Sequence, residues 1–253
     1  MRWLAIICLL VAPRILAAQE EVVAGLSRDS IAITANFDGS DLLIYGAVKR
    51  EGPIPTTSKL DVIVTVEGPS EPVNVRRKSR QLGIWVNTDS VTIDRAPSLY
   101  AVASTAPLGE ILSQTEDLRQ RISTRQMIRS VGAPGDISDS AAFTDALIRI
   151  RERDELYSLR EGSVNLKSDT LFRTTVDLPA NLVEGAYKTR IFLLRDKKLV
   201  AKDETVIDVR KVGLERWLFD LAMDQPVIYA ILALVLAAVS GWLASAAFRL
   251  LRY

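Results

Sequence analysis

The chain has 253 residues, 32 basic against 31 acidic for a formal net charge of +1, no histidine, and a single cysteine, Cys8. Such a balance gives no electrostatic footprint for nucleic acid. Without histidine, and with only Met127 and Met223 as soft donors in the central region, soft-metal, haem and iron–sulfur sites lack ligands, and neither a Ser-His-Asp nor a Cys-His arrangement can be built; no metal and no cofactor is expected.

The first element predicted is a signal peptide over residues 1–18. Met1 and Arg2 make a short basic n-region, residues 3–12 an apolar h-region too short to span a membrane, and Leu16-Ala17-Ala18 a cleavage site before Gln19-Glu20-Glu21. Pro13-Arg14 interrupts this segment, and Leu16 is bulkier than the small residue preferred there. Cys8 lies inside the h-region without a small residue before it, which argues against lipidation.

Residues 19–106 form an N-terminal β region. Residues 31–35 and 42–48 flank the turn-rich 37–41 and are expected to pair as a hairpin, which Gly52-Pro53 ends. Leu60, Val62, Val64 and Val66 alternate along a strand stopped by Gly68-Pro69. Val73, Val75, the run 82–86, then 91–93 and 99–102 continue the series of short strands, a spacing that suggests a sandwich.

The period changes over 107–160. Leu112, Leu118, Ile122 and Met127 sit at loosely helical spacing within 108–128, and Gly132-Ala133-Pro134-Gly135 breaks the pattern. Ser138-Asp139-Ser140 offers caps for a second helix with Phe143, Ala146, Leu147, Ile150 and Tyr157 along one face. The two are expected to form a helical hairpin. Strands return over 161–212, at 172–176, 186–194 and 199–209; Pro179 and Gly185 bound the first loop and residues 195–198 turn the last hairpin. The fold class is therefore mainly β: an immunoglobulin-like sandwich ectodomain, one interrupted or two small, with an inserted helical hairpin and one C-terminal transmembrane helix.

After a juxtamembrane segment, 213–224, comes the strongest signal in the chain. Residues 225–248 carry no charge and are closed by Arg249 and Arg252. A helix of this length covers the hydrocarbon core, which needs roughly 20 apolar residues. Trp217, Tyr229 and Trp242 lie near its two ends, where amphipathic aromatics settle at headgroup depth. Arg210, Lys211 and Arg216 outnumber Arg249 and Arg252, so the positive-inside bias does not decide orientation; the export signal does, because long domains translocate largely regardless of charge. The expected topology is an inner-membrane, single-pass protein with the bulk of the chain periplasmic and the tail, 249–253, cytoplasmic. Within the exported part 28 basic residues stand against 31 acidic ones, a net charge of −3, because Arg2, Arg14, Arg249 and Arg252 lie outside it and no acid does.

Several motifs in combination, Arg76-Arg77-Lys78, Gly83-Ile84-Trp85-Val86-Asn87, Pro97-Ser98-Leu99-Tyr100 followed by residues 103–108, then 179–187, and Gly213-Leu214-Glu215-Arg216 before a span ending in Gly241-Trp242, are similar to those of the alphaproteobacterial transmembrane proteins of unknown function. The resemblance covers nearly the whole chain. It implies an inner-membrane protein with a periplasmic domain, found near sulfite-exporter-like permeases, and it carries no catalytic residues over.

Two constellations are candidate sites. Arg76, Arg77 and Lys78, continued by Ser79-Arg80 and followed by Trp85 and Asn87, offer guanidinium forks suited to oxyanions or lipid headgroups. A solvated strand edge, where cations discourage sheet association, reads the same way, and Trp85 has the residue type of a sandwich-core tryptophan. Ala233, Ala237, Gly241 and Ser245 repeat every four residues along the span, a small-residue seam for helix packing against a second copy or a multi-spanning protein. The function expected is a membrane-anchored periplasmic interaction or accessory protein, beside an anion transporter. The alternatives are a cell-envelope enzyme using carboxylates that converge in a cleft, or an oxyanion or lipid-headgroup binding module.

Overall fold

The computed structural model describes residues 20–250 apart from 35, 56–57 and 131–138. The expected signal peptide, the break at 132–135 and the end of the tail lie outside the described residues. Twelve strands and six helices follow in the order β1 (Glu20–Leu26), β2 (Ser30–Ile33), β3 (Ser40–Arg50), β4 (Leu60–Glu67), β5 (Ser70–Gln81), β6 (Ile84–Pro97), β7 (Tyr100–Ser104), α1 (Leu108–Ile111), α2 (Gln114–Gln120), α3 (Thr124–Met127), α4 (Ser140–Arg153), β8 (Tyr157–Arg160), β9 (Asn165–Lys167), β10 (Leu171–Leu178), β11 (Gly185–Arg195), β12 (Lys198–Lys211), α5 (Leu214–Asp224) and α6 (Pro226–Leu250). The chain is mainly β, with several sheets and a C-terminal apolar helix.

A four-stranded sheet, β1-β3-β10-β9, faces a six-stranded one, β2-β12-β11-β4-β7-β8. Leu42, Ile44, Phe172 and Val176 from the first meet Val62, Val64, Ile191 and Val209 from the second in one core. The other face of the six-stranded sheet is covered too: Ile63, Tyr100, Val102 and Phe192 pack against Val75, Val91 and Ile93 of the β5–β6 hairpin, Met127, Phe143 and Leu147 of the helices, and Ile122 between two of them. Strand β4 therefore has every one of its 8 residues buried. The alternation of leucine and valine marks only the sandwich side; Asp61, Thr65 and Glu67 face the second core, where Asp61 accepts from the Thr105 hydroxyl at 2.8 Å and Glu67 from Arg95 at 2.8 Å.

The hairpin expected from 31–35 and 42–48 does not form. Strand β2 runs parallel to β12 in the larger sheet, whereas β3 pairs with β1 and β10 in the smaller. The turn-rich segment crosses between sheets instead of reversing within one, and β1, unforeseen from the sequence, takes the place beside β3. The run 82–86 is also divided, because Leu82 and Gly83 form the apex between β5 and β6. In place of one helix over 108–128 there are three short ones, with Arg121 in the left-handed region (φ 53°) at the end of α2. Leu118 is exposed, and Tyr157 belongs to β8. The later strands fall where the pattern puts them, β11 and β12 joined through Asp196 and Lys197, both at positive φ.

Strands β4 to β7 form one long bent ribbon. Glu67 opposes Tyr100 and Ser70 opposes Pro97 in unbroken register, bridged by Gly68 N–H to Leu99 O and Ser98 N–H to Pro69 O, both 2.8 Å. The bend requires glycine at 68: a Cβ there would stand 2.5 Å from the Ser98 hydroxyl and 3.0 Å from the Tyr187 ring. Gly68→Ala is accordingly expected to lower the thermal unfolding midpoint by several degrees, as a strained core substitution of about 1–3 kcal/mol does; an unchanged midpoint would contradict the packing at the bend.

Three buried cations, Arg190, Arg50 and Arg195, fix the layers. Arg190 donates to Gln120 O at 2.8 Å and Arg121 O at 3.2 Å at the C-terminus of α2, and lies 5.3 Å from the Phe192 ring. The Tyr100 hydroxyl, whose pKa burial pushes up, donates to Ile122 O at 2.6 Å. At the sandwich edge Glu20 accepts from Arg50 at 2.6 Å and from Arg195 at 2.9 and 3.0 Å, joining β1 to β11. Hydrogen bonding from Arg195 outweighs desolvation and holds the Glu20 carboxyl below its ordinary range.

Candidate functional site

Beyond Val75 and Val91 the β5–β6 hairpin leaves the core. Its apex residues Leu82 and Gly83 have φ of 48° and 88°, the two-residue turn that normally uses Asn-Gly, so a leucine stands in a strained conformation with its side chain wholly in solvent. Ile84 and Trp85 beside it are 65% and 68% exposed. Trp85 is thus not a core tryptophan: from Lys78 round to Ser90 each residue of the hairpin is exposed or half-buried, with no buried one among the described residues.

The register sorts the cations. Arg76 opposes Ser90, Lys78 opposes Asn87 and Arg80 opposes Trp85, so these side chains share one face; Arg77 opposes Asp89, Ser79 opposes Val86 and Gln81 opposes Ile84 on the other. A bulge makes this possible. Thr88 is the extra residue of β6 between Asp89 and Asn87, and without it Trp85 and Asn87 would fall on the face opposite Lys78 and Arg80. Arg77 is drawn away from the set: it bonds Asp139 at 2.5 Å, lies 3.7 Å from Asp89, and its guanidinium sits 4.6 Å from the Phe143 ring, docking the start of α4. Of the five residues expected to bind an anion, the structure groups Arg76, Lys78, Trp85 and Asn87, adds Arg80, and assigns Arg77 a structural partner. Among the described residues Arg76, Lys78 and Arg80 make no ion pair.

Helix α6 contains the stretch Pro226–Arg249, 24 residues of mean hydropathy 2.4, none of it buried. Proline suits the first helical position, where its missing N–H has no partner to lose. Ala233, Ala237, Gly241 and Ser245 lie on this helix and all four are exposed; a Cβ added at Gly241 would meet open space. At four residues per step the stripe drifts by about 40° each time around a helix of 3.6 residues per turn. Trp217, Phe219 and Met223 of α5 are exposed as well, and among the described residues neither α5 nor α6 contributes to either core.

A cleft of about 590 Å³ is lined by Asp38, Asp41, Glu152, Glu155 and Asp177 together with Tyr157 and Arg160. Asp41 and Asp177 oppose one another across β3 and β10, a repulsive pairing that Arg160 relieves through an ion pair with Asp177. Among the described residues no three His, Cys, Asp or Glu converge closely enough to hold a metal ion. A larger apolar groove of about 850 Å³ runs over the outer face of the smaller sheet past Val23, Tyr45, Ala47 and Leu171.

Comparison with known proteins places these features in a lineage. Residues 21–250 match the family described as "Putative transmembrane protein (Alph_Pro_TM)". No curated protein matches the chain. Among solved structures, Spo0M, a sporulation control protein from Bacillus subtilis, is 11% identical with a TM-score of 0.30, the alignment covering 81% of this chain and 55% of that one. The chain thus spans about half of that protein, and at that score the likeness carries no argument.

Proposed function

Because the chain belongs to the Alph_Pro_TM family of transmembrane proteins, we propose that it is a single-pass inner-membrane protein whose periplasmic domain serves as an accessory subunit to a membrane partner. One observation carries the reading: among the described residues both cores are complete by Val209, and the C-terminal helix beyond them is apolar with none of its membrane-length stretch buried. A helix that takes no part in the domain's core finds its contacts in lipid and in other helices. Its small-residue seam suits close approach of a second span, where van der Waals packing drives association in the absence of a hydrophobic force between helices. A multi-spanning anion permease is the partner class the family resemblance suggests.

Purification of the full chain from native membranes in mild detergent is expected to recover a membrane protein in stoichiometric yield, and Gly241→Ile, which places a branched side chain on the seam, to reduce that yield at least fivefold. Recovery of a monomer alone, with or without the substitution, would remove the accessory role.

The carboxylate cleft favours a second reading, an envelope enzyme using acid–base chemistry on glycan or peptide material. Turnover of isolated cell-wall material, lost in Asp41→Asn and in Glu152→Gln, is its signature; no turnover by the purified chain discards it.

A further inference from the structure

We propose that the β5–β6 hairpin is a second membrane contact, docking on an anionic bilayer in which α6 is anchored. The inference rests on the membrane-anchored reading and adds a site to it. Its first support is position. Lys188 of β11 pairs with both Glu67 and Val206, so the ribbon bends out of the larger sheet at the same end from which β12 leads toward α6. From Ser70 to Leu82 the hairpin reaches up to about 40 Å at roughly 3.3 Å per residue. From Val206 the rest of β12 and α5 cover about 30–35 Å before α6 begins, at ~3.3 Å per strand residue and ~1.5 Å per helical residue. The two contour lengths are comparable and start from the same end of the sheet, which gives the apex enough length to meet the surface that the span enters when both elements extend to that side.

The second support is chemistry. Between Arg76 and Thr88 the sequence holds four cations and no acid, in a region whose net charge is −3 overall. Arg77 is spent on Asp139 and Asp89, and the three left without ion pairs stand on one face with Trp85. Leu82, Ile84 and Trp85 gather large apolar surface at the tip, where fold stability gains nothing from it. Apolar and aromatic side chains leading, with cations a few residues behind, is the order in which an interfacial element meets headgroups: the tip enters the boundary of the acyl chains and the guanidinium and ammonium groups meet phosphates. A protein partner of ordinary polarity gives no reason for three cations without an ion pair among the described residues behind an apolar apex; an anionic lipid surface accounts for both.

The test uses the full chain with Trp3, Trp217 and Trp242 replaced by phenylalanine, which leaves Trp85 as the only tryptophan. It is placed in nanodiscs of phosphatidylcholine, with or without a third of phosphatidylglycerol, each carrying brominated acyl chains that quench tryptophan at short range. Trp85 is expected to be quenched in the anionic discs and much less in the zwitterionic ones. Combined Arg76→Gln, Lys78→Gln and Arg80→Gln should lower the docking equilibrium by about fivefold per cation, on the order of a hundredfold together, while the thermal midpoint stays unchanged because these side chains hold no ion pair in the fold. Leu82→Ser should weaken docking with the charge intact. A chain that fails to enter the discs refutes the anchor itself. One that enters but leaves Trp85 unquenched, as it also would if a protein covered the tip, refutes the docking alone, and quenching indifferent to lipid charge and to the three cations overturns it equally.

Discussion

Glu20→Gln is expected to lower the folding free energy by about 3–5 kcal/mol, the usual cost of breaking a buried ion pair and leaving its partners charged. The Glu20, Arg50 and Arg195 side chains are 3%, 6% and 9% exposed, so removal of the carboxylate strands two guanidinium groups away from water. The remaining acceptors, Ser58 O, Asp169 O and the Thr170 hydroxyl, are neutral dipoles and cannot neutralise them. Glu21→Gln next door breaks an ion pair with Lys49 in which both side chains are more than 60% exposed, and should cost no more than about 1 kcal/mol. Urea unfolding of the chain in mild detergent measures both; a loss below about 1 kcal/mol for Glu20→Gln would mean that the three groups are not coupled. The sign of the pH dependence comes from the lowered Glu20 carboxyl. Its contribution is fully present above the ordinary carboxylate value of about 4.3 and is lost as pH falls through the lower folded-state value. The gap between wild type and Glu20→Gln should therefore be constant near neutrality and close in acid.

Phe192→Ala should cost a similar amount, about 3–5 kcal/mol, as large-to-small changes of buried rings do. Phe192 has no exposed surface, opposes Ile63 on the face of the larger sheet that carries the helices, and sits beneath the Arg190 guanidinium. Truncation opens a cavity in the second core and takes the ring from a buried cation. Leu171→Ala on the outer face of the smaller sheet, 57% exposed, is the control and should stay within about 0.5 kcal/mol. Equal losses at the two positions would contradict a three-layer domain.

The sequence made some of this legible because some of the structure is local. Strands β11 and β12 are joined by a two-residue turn and read directly from pattern and turn chemistry, and the span read from length and the absence of charge. Sheet membership is not local: residues 31–35 and 42–48 look like a hairpin, but which sheet each strand joins is settled by β12 and β10, more than a hundred residues away. The second core was hidden because Asp61, Thr65 and Glu67 line it with polar side chains, and no alternation rule detects such a face. At the candidate site the run of cations was plain, but the single extra residue Thr88 decides which side chains stand together. Trp85 was drawn toward the core by its residue type, and a hairpin that outruns its supporting layer carries it into solvent.

Both the accessory role and the docking hairpin require that the domain and the tail lie on opposite sides of the membrane, with α6 between them. Alkaline phosphatase fused after Asp224 decides this, since that enzyme matures only after export. An active enzyme is expected at Asp224 and an inactive one when the fusion follows Tyr253; activity at Tyr253 with none at Asp224 would put the domain in the cytoplasm and contradict the proposed topology.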